Sequence, residues 1–131
     1  MNQNDPPTEH ILACLSSSPS NAKIVRTAAT MAKAFGGTFT ALYVRTPDSD
    51  QMGQEDCRRL QQHIRMAEQA GADISTIYGD DIPQQIAEFA RISGITKIVL
   101  GSSSVHRRHF WSEPSLTEKL TMTAPNLDIY I

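Results

Sequence analysis

The chain has 131 residues, with 12 Lys and Arg against 14 Asp and Glu and a formal charge of −2. That length is one domain with a core of its own, and the near-neutral balance offers no electrostatic footprint for DNA or RNA. No apolar run approaches the ~20 residues that a membrane-crossing helix needs, so no membrane contact by this chain itself is expected.

Residues 1–8 are polar, include Pro6-Pro7 and carry no signal peptide. They read as a disordered leader or linker ahead of a domain over 9–131. The first strand is expected over Glu9–Leu15, around Ile11-Leu12-Ala13-Cys14-Leu15. Ser18 then suits an N-cap, with Pro19 at the first helical position. Ile24, Ala28, Met31 and Phe35 mark an apolar helix face, which Gly36-Gly37 brings to a stop. The second strand is Thr38–Arg45. A polar loop, Thr46–Gly53, follows, and its Asp48 and Asp50 read as solvated charges.

The second helix is expected over Gln54–Ala70, with Cys57, Leu60, Ile64 and Ala67 turned inward and Gly71 at its end. Asp73–Tyr78 is the third strand. Asp81 and Gln84 resemble a capping box opening a third helix, with Ile82, Ile86, Phe89 and Ala90 on its apolar face and Gly94 at its end. The fourth strand, Lys97–Gly101, contains Ile98-Val99-Leu100, a continuous apolar run suited to a sheet covered on both faces. A loop over Ser102–Glu113, a short helix over Ser115–Thr123 and a last strand over Leu127–Ile131 complete the chain.

This alternation predicts an α/β fold: an open five-stranded parallel sheet with helices on both faces. In the order 3-2-1-4-5 the winding reverses between strands one and four, and ligands bind outside the carboxyl ends of the strands there. Ser16–Ser20 and Gly101–Ser104, the most hydroxyl-rich turns, emerge at that point. The two cysteines show neither CxxC nor Cys/His ligand spacing. They read as reduced core thiols of a cytoplasmic protein, and no metal or cofactor is expected. His10 and His63 are assigned to the surface or a strand edge. Ser102-Ser103-Ser104 lacks the Gly-x-Ser-x-Gly elbow, and a serine nucleophile needs a positioned base. A binding module is expected, not an enzyme.

Ser16, Ser18, Phe39, Thr40, Ala41 and Tyr43 form the pattern SxS-x20-FTAxY. Hydroxyls at a strand-to-helix turn donate to phosphate beside the free N–H groups of the helix start, and a small residue lets a flat ring lie close. The combination points to a nucleotide. Ser16 and Ser18 are assigned to phosphate or ribose, the Ala41 backbone to an adenine edge, and Thr40 to an additional hydroxyl contact. Phe39 and Tyr43 share strand parity with Ala41 and read as core aromatics ahead of partners that stack on the ligand. Gly101, Ser102, Ser103 and Ser104 form the facing turn. Arg107 and Arg108, in the following loop, match phosphate with paired hydrogen bonds or simply make that loop basic and solvated.

From about His10 to Ile131 the chain resembles a universal stress protein domain. ATP-binding members of that family end strand one with Asp and carry G-x-x-G-x9-G-[ST] after strand four. Here those positions are Ser16, then Gly101, Ser104, Pro114 and Ser115, so only the first Gly and the last Ser match. A closer resemblance is to the universal-stress-like domain of KdpD-type potassium-responsive sensor histidine kinases. It is carried by Ile24-Val25-Arg26-Thr27-Ala28-Ala29, Ala41-Leu42-Tyr43-Val44, Thr96-Lys97-Ile98-Val99-Leu100-Gly101 and Ala124-Pro125-Asn126-Leu127-Asp128. The resemblance implies a cytosolic regulatory module that binds cyclic di-AMP, with the rest of the kinase and a second copy as partners. Ligand binding would lower the kinase output that switches on potassium uptake. An ATP- or AMP-binding stress protein and a ligand-free module that dimerises through strand five are the competing readings.

Overall fold

The computed structural model describes residues 8–101, 120 and 127–130. In chain order they form β1 (His10–Cys14), α1 (Asn21–Phe35), β2 (Thr38–Arg45), a 3-10 turn (Ser49–Gln51), α2 (Gln54–Gln69), β3 (Asp73–Tyr78), α3 (Ile82–Ser93), β4 (Lys97–Val99) and β5 (Asp128–Tyr130). The strands make one sheet in the order β3-β2-β1-β4-β5, every pairing parallel. This is the order the alternation predicts. The short helix expected over Ser115–Thr123 lies outside the described residues, apart from Leu120, which is helical and fully buried.

Side-chain alternation along the strands divides the core in two. Ile11, Ala13, Leu15, Phe39, Ala41 and Val99 pack with Val25, Ala28 and Ala32 of α1 and with Leu60 and Ala67 of α2. Leu12, Leu42, Ile98 and Leu100 face the other way, against Ile86 and Ala87 of α3 and Leu120. Both faces are therefore covered. The three inner strands carry its most deeply buried side chains, with Ile11, Leu12 and Ala13 of β1, Ala41 and Leu42 of β2 and Ile98 of β4 fully inaccessible.

Each helix keeps most of its predicted face and departs from it at one or two positions. On α1 the expected Ala28 is buried and Ile24 and Met31 pack partly buried against the core, while Phe35 is half exposed and the deepest stripe runs beside them through Asn21, Val25, Ala28 and Ala32. Both sets repeat at four, three and four residues. Nor does α1 begin at Ser18. The Ser18 carbonyl accepts the Asn21 N–H at 2.9 Å, so Pro19 and Ser20 belong to a turn and the helix starts at Asn21. On α2, Cys57 is exposed while His63, expected at the surface, is 4 % exposed. On α3, Ile82 is exposed, and the Asp81 side chain caps the helix by accepting the Gln84 N–H at 3.2 Å.

Phe35, half exposed, has a different use. Its ring lies 5.0 Å from the Lys97 Nζ, which bonds to Asp128 at 3.0 Å and stands 3.5 Å from Glu9. The Asp128 hydrogen bond, above all, raises the Lys97 pKa. This cluster closes the end of the sheet remote from the strands' carboxyl termini. Nearby, Gly36 takes the left-handed conformation that ends α1, at φ 65°. A Cβ on Gly37 would stand 2.1 Å from the Glu9 carbonyl oxygen, so β2 enters the sheet at a separation only glycine permits.

Truncation of Ile98, central in the sheet and packed against α3, leaves a cavity with no solvent access. Ile98→Ala is expected to cost about 2–5 kcal/mol, read as a lower urea midpoint with an unchanged m-value.

Candidate functional site

A cleft of about 490 Å³ opens at the carboxyl ends of β1 and β2, beside the residues that follow β4. Its volume falls within the range of small-ligand sites. One wall is the turn between β1 and α1, contributing Ser16, Ser17, Ser18, Ser20 and Asn21. Leu100 and Gly101 stand on the far side of the reversal point. Tyr43, Thr46, Asp48, Ser49 and Met52 come from the end of β2 and the loop after it, and Ile82, Pro83 and Ile86 bring an apolar surface from α3.

The serine turn is built on Asn21. Its side chain is 1 % exposed, donates Nδ2–H to the Cys14 carbonyl at 2.9 Å and accepts the Ser16 N–H on Oδ1 at 3.2 Å. One amide thus satisfies the last carbonyl of β1 and the first free N–H beyond it, which burial would otherwise leave costly. Within the turn, the Ser18 N–H donates to Ser16 Oγ at 3.2 Å, and the Ser18 and Ser20 hydroxyls are 3.0 Å apart. From below, His63 and Arg59 of α2 donate to the Ser16 and Ser17 carbonyls at 2.8 and 3.0 Å.

The opposite wall is organised locally. The Thr46 and Ser49 side chains each accept the other's backbone N–H, at 3.1 and 2.8 Å respectively, which shapes the 3-10 turn. Asp50 is exposed, as expected of a loop carboxylate, and bonds Arg45; that hydrogen bond chiefly raises the Arg45 pKa. Asp48 lines the cleft and, among the described residues, is its one charged side chain. No group of three or more His, Cys, Asp or Glu among the described residues is placed to hold a metal ion.

Ser16, Ser18, Tyr43 and Gly101 all line the cleft. Phe39 and Ala41 do not reach it. They lie in the core between the sheet and α1 and α2, 6 % and 0 % exposed. Ala41 is paired with Ala13 on one side and Ile74 on the other, so ladder bonding occupies the backbone groups assigned to an adenine edge. Thr40 is likewise mid-strand, between Leu12 and Asp73. Ser102, Ser103, Ser104, Arg107, Arg108 and Ser115 lie outside the described residues. Sequence reading placed the whole Ser16–Ser20 turn here but assigned no contact to Ser17 or Ser20, and it missed Asn21 and the place of Asp48 in the lining. Asn21 alone left a signal, as a polar residue in register with a buried helical stripe.

In open, doubly wound α/β sheets, a cleft at the reversal point is where ligands bind. The chain belongs to the universal stress protein family, which it matches over residues 7–125. A "Sensor protein KdpD" from Clostridium acetobutylicum is 34 % identical over 95 % of this chain, and the chain spans only 14 % of that protein. A universal stress protein solved in complex with cAMP has a TM-score of 0.73 at 16 % identity, covering 96 % of this chain and 97 % of that one. The universal stress protein from Archaeoglobus fulgidus, solved with dAMP, has a TM-score of 0.56 at 18 % identity, over 95 % and 96 %.

Two measurements check this site. Asn21→Leu orphans the Cys14 carbonyl and the Ser16 N–H, at about 1–3 kcal/mol each, and is expected to lower the thermal midpoint by several degrees. Burial pushes the Cys14 thiol up to about 12. The thiolate is the reactive form, and at pH 8 burial keeps Cys14 as the thiol. Iodoacetamide at pH 8 is expected to modify exposed Cys57 and spare Cys14, as peptide mass spectrometry would show.

Proposed function

We propose that this chain is the regulatory ligand-binding module of a KdpD-type sensor kinase, and that cyclic di-AMP is its ligand. The observation that carries the reading is the convergence of the Ser16–Ser20 turn and Gly101 on one cleft at the reversal of the sheet. Structures of similar fold crystallised with cAMP and dAMP support an adenine nucleotide there, and the likeness to a segment of KdpD supports the regulatory setting.

Each wall suits one part of such a ligand. The serine hydroxyls donate to a phosphodiester. Asp48 accepts from ribose hydroxyls or an exocyclic amine. Ile82, Pro83 and Ile86 cover an apolar ring face, and Tyr43 borders the same space. Arg107 and Arg108 stand in this proposal as additional phosphate partners, with Ser102, Ser103, Ser104 and Ser115 completing the facing turn. Two or three charge-assisted bonds at roughly 1.5–3 kcal/mol each, with one buried purine, reach the ~8 kcal/mol of micromolar affinity. Binding, with no bond made or broken, is the function; the module, spanning 9–131 and working in the cytoplasm, lowers kinase output when occupied.

Calorimetric titration with cyclic di-AMP, cyclic di-GMP and ATP tests the proposal. Cyclic di-AMP is expected to bind with a micromolar Kd, tighter than the other two, and Ser16→Ala with Ser18→Ala to weaken it at least about tenfold. Tight ATP binding with no response to cyclic di-AMP would favour the mononucleotide reading, which the cAMP and dAMP complexes of similar folds support.

A further inference from the structure

The cleft offers phosphate an unusual set of partners. Among the described residues no Lys or Arg lines it, and its one charge is the Asp48 carboxylate. Neutral hydrogen-bond donors on the serine turn are left to meet the anion, and donors of that kind work only when their direction is fixed in advance.

Two residues of α2 fix it. His63 donates Nδ1–H to the Ser16 carbonyl at 2.8 Å, and Arg59 donates Nη1–H to the Ser17 carbonyl at 3.0 Å. A trans peptide is planar, and its C=O and N–H point in opposite directions; no peptide bond among the described residues is cis. Drawing the Ser16 carbonyl toward α2 therefore turns the Ser17 N–H away from it, and drawing the Ser17 carbonyl does the same for the Ser18 N–H. Among the described residues the Ser17 N–H meets no acceptor. The Ser18 N–H is taken by Ser16 Oγ at 3.2 Å, which leaves the Ser16 hydroxyl hydrogen free to donate outward.

Neither His63 nor Arg59 lines the cleft. His63 is buried among core residues, and Arg59 is bound to Asp56 at 3.1 Å with Glu55 at 3.9 Å. Their influence passes through the backbone they hold. We propose that Arg59 and His63 are positioning residues for a phosphate subsite formed by the Ser17 N–H and the hydroxyls of Ser16, Ser17 and Ser18. The proposal rests on the nucleotide reading of the cleft and adds to it where the phosphate sits and what orients its partners.

The test compares a phosphate-bearing ligand with a phosphate-free one. The whole chain is titrated with cyclic di-AMP and with adenosine, as wild type and as Arg59→Met, His63→Phe and His63→Asn. Arg59→Met and His63→Phe are each expected to weaken cyclic di-AMP about tenfold and leave adenosine unchanged. His63→Asn, whose amide nitrogen can replace Nδ1–H as donor, is expected to recover most of the loss. Unchanged cyclic di-AMP affinity in both donor-deleted variants overturns the proposal. So does an equal loss for both ligands, since a merely structural role would weaken them together. A wild type that binds adenosine but no phosphate-bearing nucleotide removes the subsite while leaving the cleft a nucleoside site. A wild type that binds neither removes the nucleotide reading and this inference with it. Arg59 is partly exposed, so Arg59→Met keeps the test decisive if His63→Phe does not fold.

Discussion

A single buried amide decides where β1 stops and how α1 begins. Asn21 reaches back to the Cys14 carbonyl and to the Ser16 N–H, holding the chain through a reversal that neither strand nor helix hydrogen bonding can span. Because the side chain comes from the first residue of α1, the helix is set at a fixed height against the strand. The serine turn then has one course to follow, across the end of the sheet. The cleft takes its form from that course, with Gly101 contributed independently by the strand on the other side of β1.

The parts of the fold legible in the sequence were those in which one rule acted without a competitor. Apolar strands separated by amphipathic helices leave few arrangements, and the observed sheet has the predicted order. The capping role of Asp81 was readable because Asp-x-x-Gln precedes an apolar run. On α1 the apolar reading caught Ile24, Ala28 and Met31 at the core, but not the adjoining and more deeply buried Asn21, Val25 and Ala32. Asn21 is tolerated in the core because both of its partners are backbone groups five and seven residues earlier, at the end of β1, and no periodic pattern announces them. The same holds for His63, whose burial is compensated by a carbonyl 47 positions earlier in the chain.

The site was half legible for a related reason. Placing hydroxyls at the ends of strands requires only the topology, and Ser16, Ser18 and Gly101 fell where the topology put them. The Phe39-Thr40-Ala41 segment, by contrast, sits at and before the middle of β2, in a strand hydrogen-bonded on both sides. A ligand at the carboxyl end meets such residues only through the side chains and backbone that follow them. Tyr43, two residues on, is the member of the pattern that arrives at the cleft. Asp48 was passed over because loops rich in acid are usually solvated, and only the 3-10 turn bends this one back over the opening.

Cys14 stands in the floor of the cleft with its thiol held protonated by burial. Peroxide attacks thiolates, and the ladder from sulfenic to sulfonic acid starts from that form. Attack at Cys14 is therefore slow, and the floor of the cleft keeps its neutral thiol where a sulfenic or sulfonic acid would add a polar or charged group.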